Sequence, residues 1–439
     1  MTRVAHLLSH HPHPSHSFLR DEVIGLREAG LEIETIALNP ADDAHVLTDL
    51  DRSERDRTRY VKARFVPTAL AALVDVGRRH PVRLVRFILG AAMDGMPDPV
   101  LAMRRAAQAV EAVVVLRWCR QLGVDHVHAH FGGAPGTVAR YAAMLSRRVE
   151  GDRPLSWSIT VHGPHDFMNE RTSNLAALAG SADLVVAISD FTAAQLLRLV
   201  PASRRSRVKV VRCGIDLERF TPRYRPGDRP GDRPGDRPGD QRPADDSSVT
   251  KRSLHVVTLG RMAPEKGQWV LIDSVARLVD RGHDVSLRII GDGDLRADLV
   301  RQVDELGLVD RIEFLGLIDP ASVRSEIARA DLFCLPSFAE GLPVALMEAA
   351  AVGTPIVCTS VAGIPELVID GTTGRCVPAG SSSELVAAIE QFIVDPPSRR
   401  AMAEAARARV EARHDRRANT RQLAQLLRDV AVEGRQDAP

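Results

Sequence analysis

Glu340 and Glu348 stand with seven residues between them, on either side of a turn that reads Gly341, Leu342, Pro343, Val344. A buried run from Asp331 ends at Pro336, and Pro343 predicts the first residue of a helix, where proline's missing amide donor costs nothing. Amides at such a helix start carry partial positive charge and lack partners, which suits a phosphate. Glu340 reads as an exposed loop carboxylate before the helix, and Glu348 lies about 7.5 Å further along it at the rise of an α-helix. Two carboxylates therefore flank a predicted phosphate site. In TLGRMAPEKGQWVL, Arg261 and Lys266 fall between a strand ending at Gly260 and a helix starting near Gly267. Both cations are expected at the same strand end as Glu340, where they would neutralise a diphosphate. The order Lys266, Gly267, Gln268 is not that of a P-loop, which needs Gly-Lys-Ser/Thr.

A second group of candidates is built on histidine. His162 follows a strand directly in TVHGPHDF, Asp166 comes four residues later as a group to receive or relay a proton, and His130 ends the strand of HVHAHF. His126, His128 and His130 share one strand face at period two, as metal ligands do. No acidic ligand follows in the manner of H-x-H-x-D-H, so His126 and His128 read as strand-packing residues and no metal site is expected. Asp292 and Asp294 form D-x-D, but within GDGD after a strand, where a glycine turn is the better reading. Gly291 and Gly293 begin a G-x-G-x-x-G in which Arg296 occupies the third glycine position, so no NAD site is expected.

The elements that must carry these groups alternate along the chain. Short β-branched runs at Val4 to Leu8, Ile33 to Leu38, Val124 to His130, Ser156 to Val161, Leu184 to Ile188 and Val208 to Val211 are separated by amphipathic stretches such as Ser17 to Ala29. A second series begins at Leu254 and continues through Ser286 to Ile290, Ile312 to Leu315, Leu332 to Leu335 and Ile356 to Thr359. Such βαβ alternation predicts parallel sheets, here in two Rossmann-like, doubly wound α/β domains. Between them RPGD occurs four times in succession, Arg225 to Asp240, in a segment nearly devoid of large apolar residues, which predicts a disordered linker. The expected organisation is a first domain over 1–220, a linker over 221–252, a second domain over 253–410, and a C-terminal helix and tail over 411–439 that packs back toward the first domain. One helical stretch is expected from Ser398 to Val430, with Ser398 as its N-cap.

Composition removes several classes of function. With 439 residues, 44% of them hydrophobic, the chain can bury a large core. Its net charge of +1, from 58 Lys and Arg against 57 Asp and Glu, offers no global field for nucleic acid. Five cysteines without C-x-x-C suit a reduced, cytoplasmic protein, and neither a signal-peptide core nor eighteen uninterrupted apolar residues is found. Arg57 to Arg86 is strongly basic, with Arg78, Arg79, Arg83 and Arg86 interleaved among apolar residues, and such a stretch can lie on an anionic membrane surface.

The two acidic and basic blocks, in this order and about 75 residues apart, resemble retaining glycosyltransferases of family 4, which have the GT-B fold of two Rossmann-like domains facing a central cleft. VVRCGIDLERFTP and the GIPELV run resemble the same family, and Pro12, Ser15, Ser17 and Phe18 resemble its exopolysaccharide subgroup, including colanic acid enzymes. The resemblance implies that Glu340 contacts the donor sugar and Glu348 the nucleotide ribose. It assigns Arg261 and Lys266, with Gly341, Leu342, Pro343 and Val344, to the donor diphosphate. His162 is then catalytic with Asp166, and His130, Ser15 and Ser17 lie on the acceptor side. The implied reaction moves a hexose from a nucleotide diphosphate sugar to a saccharide acceptor, lipid-linked in this subgroup, with no cofactor and no metal. A nucleotide-sugar epimerase of the same architecture, or an idle nucleotide-sugar-binding assembly protein, is the alternative.

Overall fold

β-Branched runs close into two all-parallel sheets in the computed structural model, which describes residues 2–13, 17–43, 46, 48–149, 154–168, 170–220 and 253–436. Ser15 and the whole predicted linker, 221–252, lie outside the described residues. The first sheet comprises β1 (Arg3–Leu8), β2 (Glu32–Ala37), β3 (Arg59–Tyr60), β4 (His126–His130), β5 (Ser156–Val161), β6 (Leu184–Ala187) and β7 (Val208–Val210), in the order β3-β2-β1-β4-β5-β6-β7. The second comprises β8 (Leu254–Leu259), β9 (Val285–Ile290), β10 (Ile312–Gly316), β11 (Leu332–Leu335), β12 (Ile356–Thr359) and β13 (Arg375–Val377), in the order β10-β9-β8-β11-β12-β13. Strand order therefore reverses between β1 and β4 and again between β8 and β11. At such switch points the loops leaving the strand ends diverge, and open α/β sheets bind their ligands there.

Two compact units result: Met1–Cys213 with Arg416–Pro439, and Gly214–Asp415. The division falls at Cys213, a few residues before the expected boundary at 220. In the first unit, helix α1 (Ser17–Glu28) follows β1, and α2 (Phe65–Arg79) and α3 (Pro81–Met93) lie against α4 (Pro99–Leu122), which buries Val113 to Leu116 and Cys119 in the core. In the second, α5 (Gln268–Asp280) follows β8 and α6 (Val344–Val352) follows β11.

The expected single helix from Ser398 to Val430 is two, α7 (Pro396–Arg413) and α8 (Arg416–Gln436). The break falls where His414 is buried and its carbonyl accepts the amide of Ile215, distant in sequence, at 2.9 Å, so the backbone there is committed outside the helix. The N-cap is Asp395 rather than Ser398, with the aspartate carboxylate accepting the Ser398 amide at 3.1 Å. Helix α8 belongs to the first unit, where Leu423, Ala424 and Leu427 pack with Val4, Val23 and Leu26. The approach to α1 is close, since a Cβ on Gly25 would stand 2.9 Å from the Thr420 side chain.

Candidate active site

In the second unit the turn after β8 and the loop after β11 are drawn together at the switch point. Gly267 makes this possible: its φ of +64° is left-handed, and a Cβ there would lie 2.4 Å from the Pro336 carbonyl oxygen. Phe338 donates its amide to the Glu265 carbonyl at 2.8 Å, and the Phe338 ring stacks on Trp269 at a centroid distance of 5.2 Å. Across this junction the Lys266 Nζ donates to Glu340 Oε1 at 2.6 Å, and the Ser337 hydroxyl donates to the same oxygen at 2.7 Å. Glu340 is consequently 7% exposed, and the exposed loop carboxylate expected from sequence is instead buried in a charge-assisted pair.

Arg261, by contrast, is largely solvated and donates to Glu265 Oε1 at 2.6 Å. Partial burial pushes the Glu265 carboxyl up, but its own backbone amide and the Arg261 guanidinium outweigh that and hold it below its usual range. Pro343 is the N-cap of α6 rather than its first residue; its carbonyl accepts the Leu346 amide at 3.2 Å. No side chain caps α6, so none competes with an anion for its first amides. Gly341 and Val344 are half-buried in this turn and Leu342 is buried, while Glu348, half-buried, projects one turn into the helix. Beneath the turn, Gly291 allows the GDGD loop to approach, because a Cβ there would sit 2.2 Å from the Gly260 carbonyl oxygen. Asp292 spends one oxygen on the Gly293 amide at 2.8 Å, as a turn residue does.

The first unit gathers its histidines at the ends of β4 and β5. His130 Nδ1 is 2.8 Å from His162 Nε2, and the His162 ring also meets Phe18 and Phe131 at centroid distances of 5.1 and 4.4 Å. Ser17, half-buried, opens α1 beside Phe18. Asp166 is buried, with one carboxylate oxygen accepting the Gly132 amide at 2.8 Å and the other the His162 amide at 3.1 Å. The carboxylate thus fastens the two segments that carry His130 and His162.

Below this edge, His126 and His128 are fully buried against the hydroxyls of β5. His126 reaches Ser156 at 2.8 Å and Ser158 at 2.6 Å; His128 reaches Ser158 at 2.6 Å and Thr160 at 3.0 Å. Two further groups join them that sequence reasoning passed over. Glu22 Oε1 on α1 lies 3.1 Å from His130 Nε2 and 3.7 Å from Nε2 of His6 on β1. Burial first, then neighbouring imidazoles, hold His6 and His128 well below the usual histidine range, and burial alone takes His126 down to about 3. Glu22 follows Phe18 by four residues, one helical turn, so both face the same strand ends.

The Glycosyltransferase Family 4 model matches residues 18–219, and the Glycosyl transferases group 1 model matches residues 242–409. Over 443 residues the chain is 26% identical to WcaL of Escherichia coli strain K12, a protein named for colanic acid biosynthesis, covering 97% of this chain and 99% of WcaL. Over 348 residues it is 31% identical to the D-inositol 3-phosphate glycosyltransferase of Corynebacterium aurimucosum, covering 76% of this chain and 78% of that enzyme. Among solved structures it is similar to Anabaena Alr3699/HepE, crystallised in complex with UDP and glucose, with a TM-score of 0.68 at 19% identity over 98% of this chain and all of that one. Two parallel-sheet units, each matched by its own family model, show that the chain belongs to glycosyltransferase family 4 and has the GT-B fold.

Proposed function

We propose that this glycosyltransferase moves a hexose from a nucleoside diphosphate sugar to a saccharide acceptor with retention at the anomeric carbon. The observation that carries the reading is the Lys266–Glu340–Ser337 cluster beside the uncapped start of α6. In it a cation and a set of free amides meet a carboxylate, the combination needed to hold a diphosphate and the hydroxyls of its sugar. Arg261 and Lys266 neutralise the diphosphate, the turn from Gly341 to Val344 adds backbone contacts, Glu348 holds the ribose, and Glu340 orients the hexose. In the reaction the bond from the anomeric carbon to phosphate oxygen breaks while the acceptor oxygen bonds to the same face. The acceptor proton passes to the departing phosphate oxygen, so cations and amides carry the leaving group without a metal. We assign His162 to the reaction together with Asp166, whose carboxylate accepts the His162 amide, and give His130, Ser15 and Ser17 acceptor-side roles.

The name of WcaL supports an acceptor in exopolysaccharide synthesis, and the UDP and glucose bound by HepE put UDP sugars first among donors. A donor panel read by thermal shift tests the site, since a ligand at 100 times its Kd adds about 2.7 kcal/mol. Product formed from that donor and an acceptor glycan, with its anomeric configuration assigned by NMR, tests the reaction. An inverted linkage would overturn retention, and donor turnover to an isomeric sugar without acceptor would favour an epimerase.

A lipid-linked acceptor presented at the cytoplasmic face fits one further feature. Helices α2 and α3 bury one stripe, Ala69, Ala72, Val76, Leu84 and Phe87, and expose a second. In that second stripe Val66, Leu70, Val82, Val85, Leu89 and Met93 are 57% to 75% exposed. Arg78, Arg79 and Arg86 are exposed beside it, whereas Arg83 donates to the Arg148 carbonyl at 2.6 Å. An apolar stripe flanked by cations suits reversible binding to anionic lipid. No helix among the described residues is long and apolar enough to cross a membrane. Co-sedimentation with anionic vesicles at low salt is expected, and its reduction in Arg78→Gln, Arg79→Gln, Arg86→Gln; equal recovery of wild type and variant in the supernatant would remove the membrane from the account.

A further inference from the structure

We propose that His6, Glu22, His128 and His130 form a buried transition-metal site in the first unit that takes Zn²⁺. One donor atom from each of the four lies within 4.8 Å of all the others. The three imidazoles are almost evenly spaced, with ring centroids 4.9 Å apart for His6 and His128, 4.7 Å for His6 and His130, and 4.8 Å for His128 and His130. Glu22 Oε1 closes the set at 3.1 Å from His130 Nε2 and 3.7 Å from His6 Nε2. Tetrahedral zinc, with Zn–N near 2.0–2.1 Å and Zn–O near 2.0–2.2 Å, needs its donor atoms about 3.3 Å apart.

Hydrogen bonding points the same way. His6 Nδ1 and Nε2 are buried without a hydrogen-bond partner, and buried His130 Nε2 and Glu22 Oε1 meet each other at 3.1 Å with no further hydrogen-bond partner. Folded proteins pair most of their buried polar atoms, so a group of them drawn together from β1, α1 and β4, with their donor atoms within 4.8 Å of one another, marks a place where a cation belongs. His128 ligates through one nitrogen and keeps a hydroxyl, Ser158 or Thr160, on the other as its outer partner. Imidazole with a single carboxylate selects zinc and its transition-metal neighbours over Mg²⁺ and Ca²⁺, which need oxygen-rich sites. The acidic ligand absent downstream of H-x-H in the sequence comes from α1 instead.

The site reaches the reaction through one atom. A metal on His130 Nε2 leaves that ring's proton on Nδ1, which then donates to His162 Nε2 at 2.8 Å. The ion would thereby fix the tautomer of His162 and pin α1 to the sheet. This inference does not depend on the proposed donor chemistry, because its ligands all lie in the first unit and its test reads metal directly.

The full-length protein, stripped with chelator and dialysed against equimolar Zn²⁺, is expected to retain one Zn²⁺ per chain by elemental analysis. Replacement by Co²⁺ should give the intense visible bands of tetrahedral coordination. Glu22→Gln preserves side-chain shape and is expected to weaken Co²⁺ binding at least about 100-fold, with the bands lost at equimolar metal. His6→Gln is the second variant, and circular dichroism checks that each is folded. Absence of retained metal in the folded wild type, the weak spectrum of octahedral Co²⁺, or unchanged Co²⁺ affinity in both folded variants would overturn the site.

Discussion

At the scale of single residues, Glu340 separates charge from packing. Its partners Lys266 and Ser337 converge on one oxygen, so Glu340→Gln keeps the shape and removes only the charge. We expect that variant to stay folded, with its melting temperature within a few degrees of wild type, while turnover falls by about 100-fold or more through lost positioning of the donor. Near-normal turnover would remove Glu340 from the reaction. Lys266→Ala should weaken UDP binding by about 1 to 3 kcal/mol, as measured by titration calorimetry, because a charge-assisted contact is lost. Asp166→Ala acts differently: it strands the buried amide of Gly132 and frees the part-buried amide of His162, and should cost about 1 to 3 kcal/mol of stability. If Asp166 relays a proton instead, Asp166→Asn will move the pH profile of the reaction; a positioning residue leaves the profile in place. The glutamates were legible because their spacing is local, seven intervening residues read from one stretch of chain. Glu22 and His6 were not, since their meaning comes from partners on other elements, and the burial of Glu340 depends on a lysine 74 residues away.

Among the elements, the turn from β8 to α5 is tightly constrained. Gly267→Ala forces a left-handed backbone on a residue with a Cβ and drives that atom toward the Pro336 carbonyl, so a loss of about 1 to 3 kcal/mol is expected in urea unfolding. Because Trp269 stacks on Phe338 across the same junction, its fluorescence should shift in the folded variant. An unchanged midpoint and an unchanged spectrum would mean that the two loops are not held together as described. Central strands were readable from apolar β-branched runs, and Ser156–Val161, Leu332–Leu335 and Ile356–Thr359 match residue for residue. The edge strands β3 and β13 escaped notice: they are two and three residues long, and Arg59, Tyr60, Arg375 and Cys376 carry no such pattern. Likewise the break between α7 and α8 is invisible in an Arg- and Ala-rich run, because it falls where a hydrogen bond arrives from Ile215, distant in sequence.

For the molecule as a whole, stability is divided between two units of unequal continuity. Leu427→Ala removes a fully buried side chain that packs with Val4, Val23 and Leu26, and should destabilise the first unit by about 2 to 5 kcal/mol while leaving the second unit's unfolding transition in place. Calorimetry that shows a single transition moving as one would contradict this. Deleting Arg225 to Asp240, which offers no large apolar side chain, should leave the melting temperature nearly unchanged. The second unit is one uninterrupted stretch, but α8 must return to α1 across 395 residues of sequence, the separation of Arg416 from the Asp21 carbonyl it binds. A ribosome adding about 5 to 20 residues each second therefore leaves Val4, Val23 and Leu26 bare for about 20 to 80 s after they emerge. Throughout that interval the nascent chain carries an unfinished apolar face away from the ribosome, while the second unit is made and can fold behind it. The yield of active enzyme in a cell then rests on whatever shelters that face until α8 is synthesised.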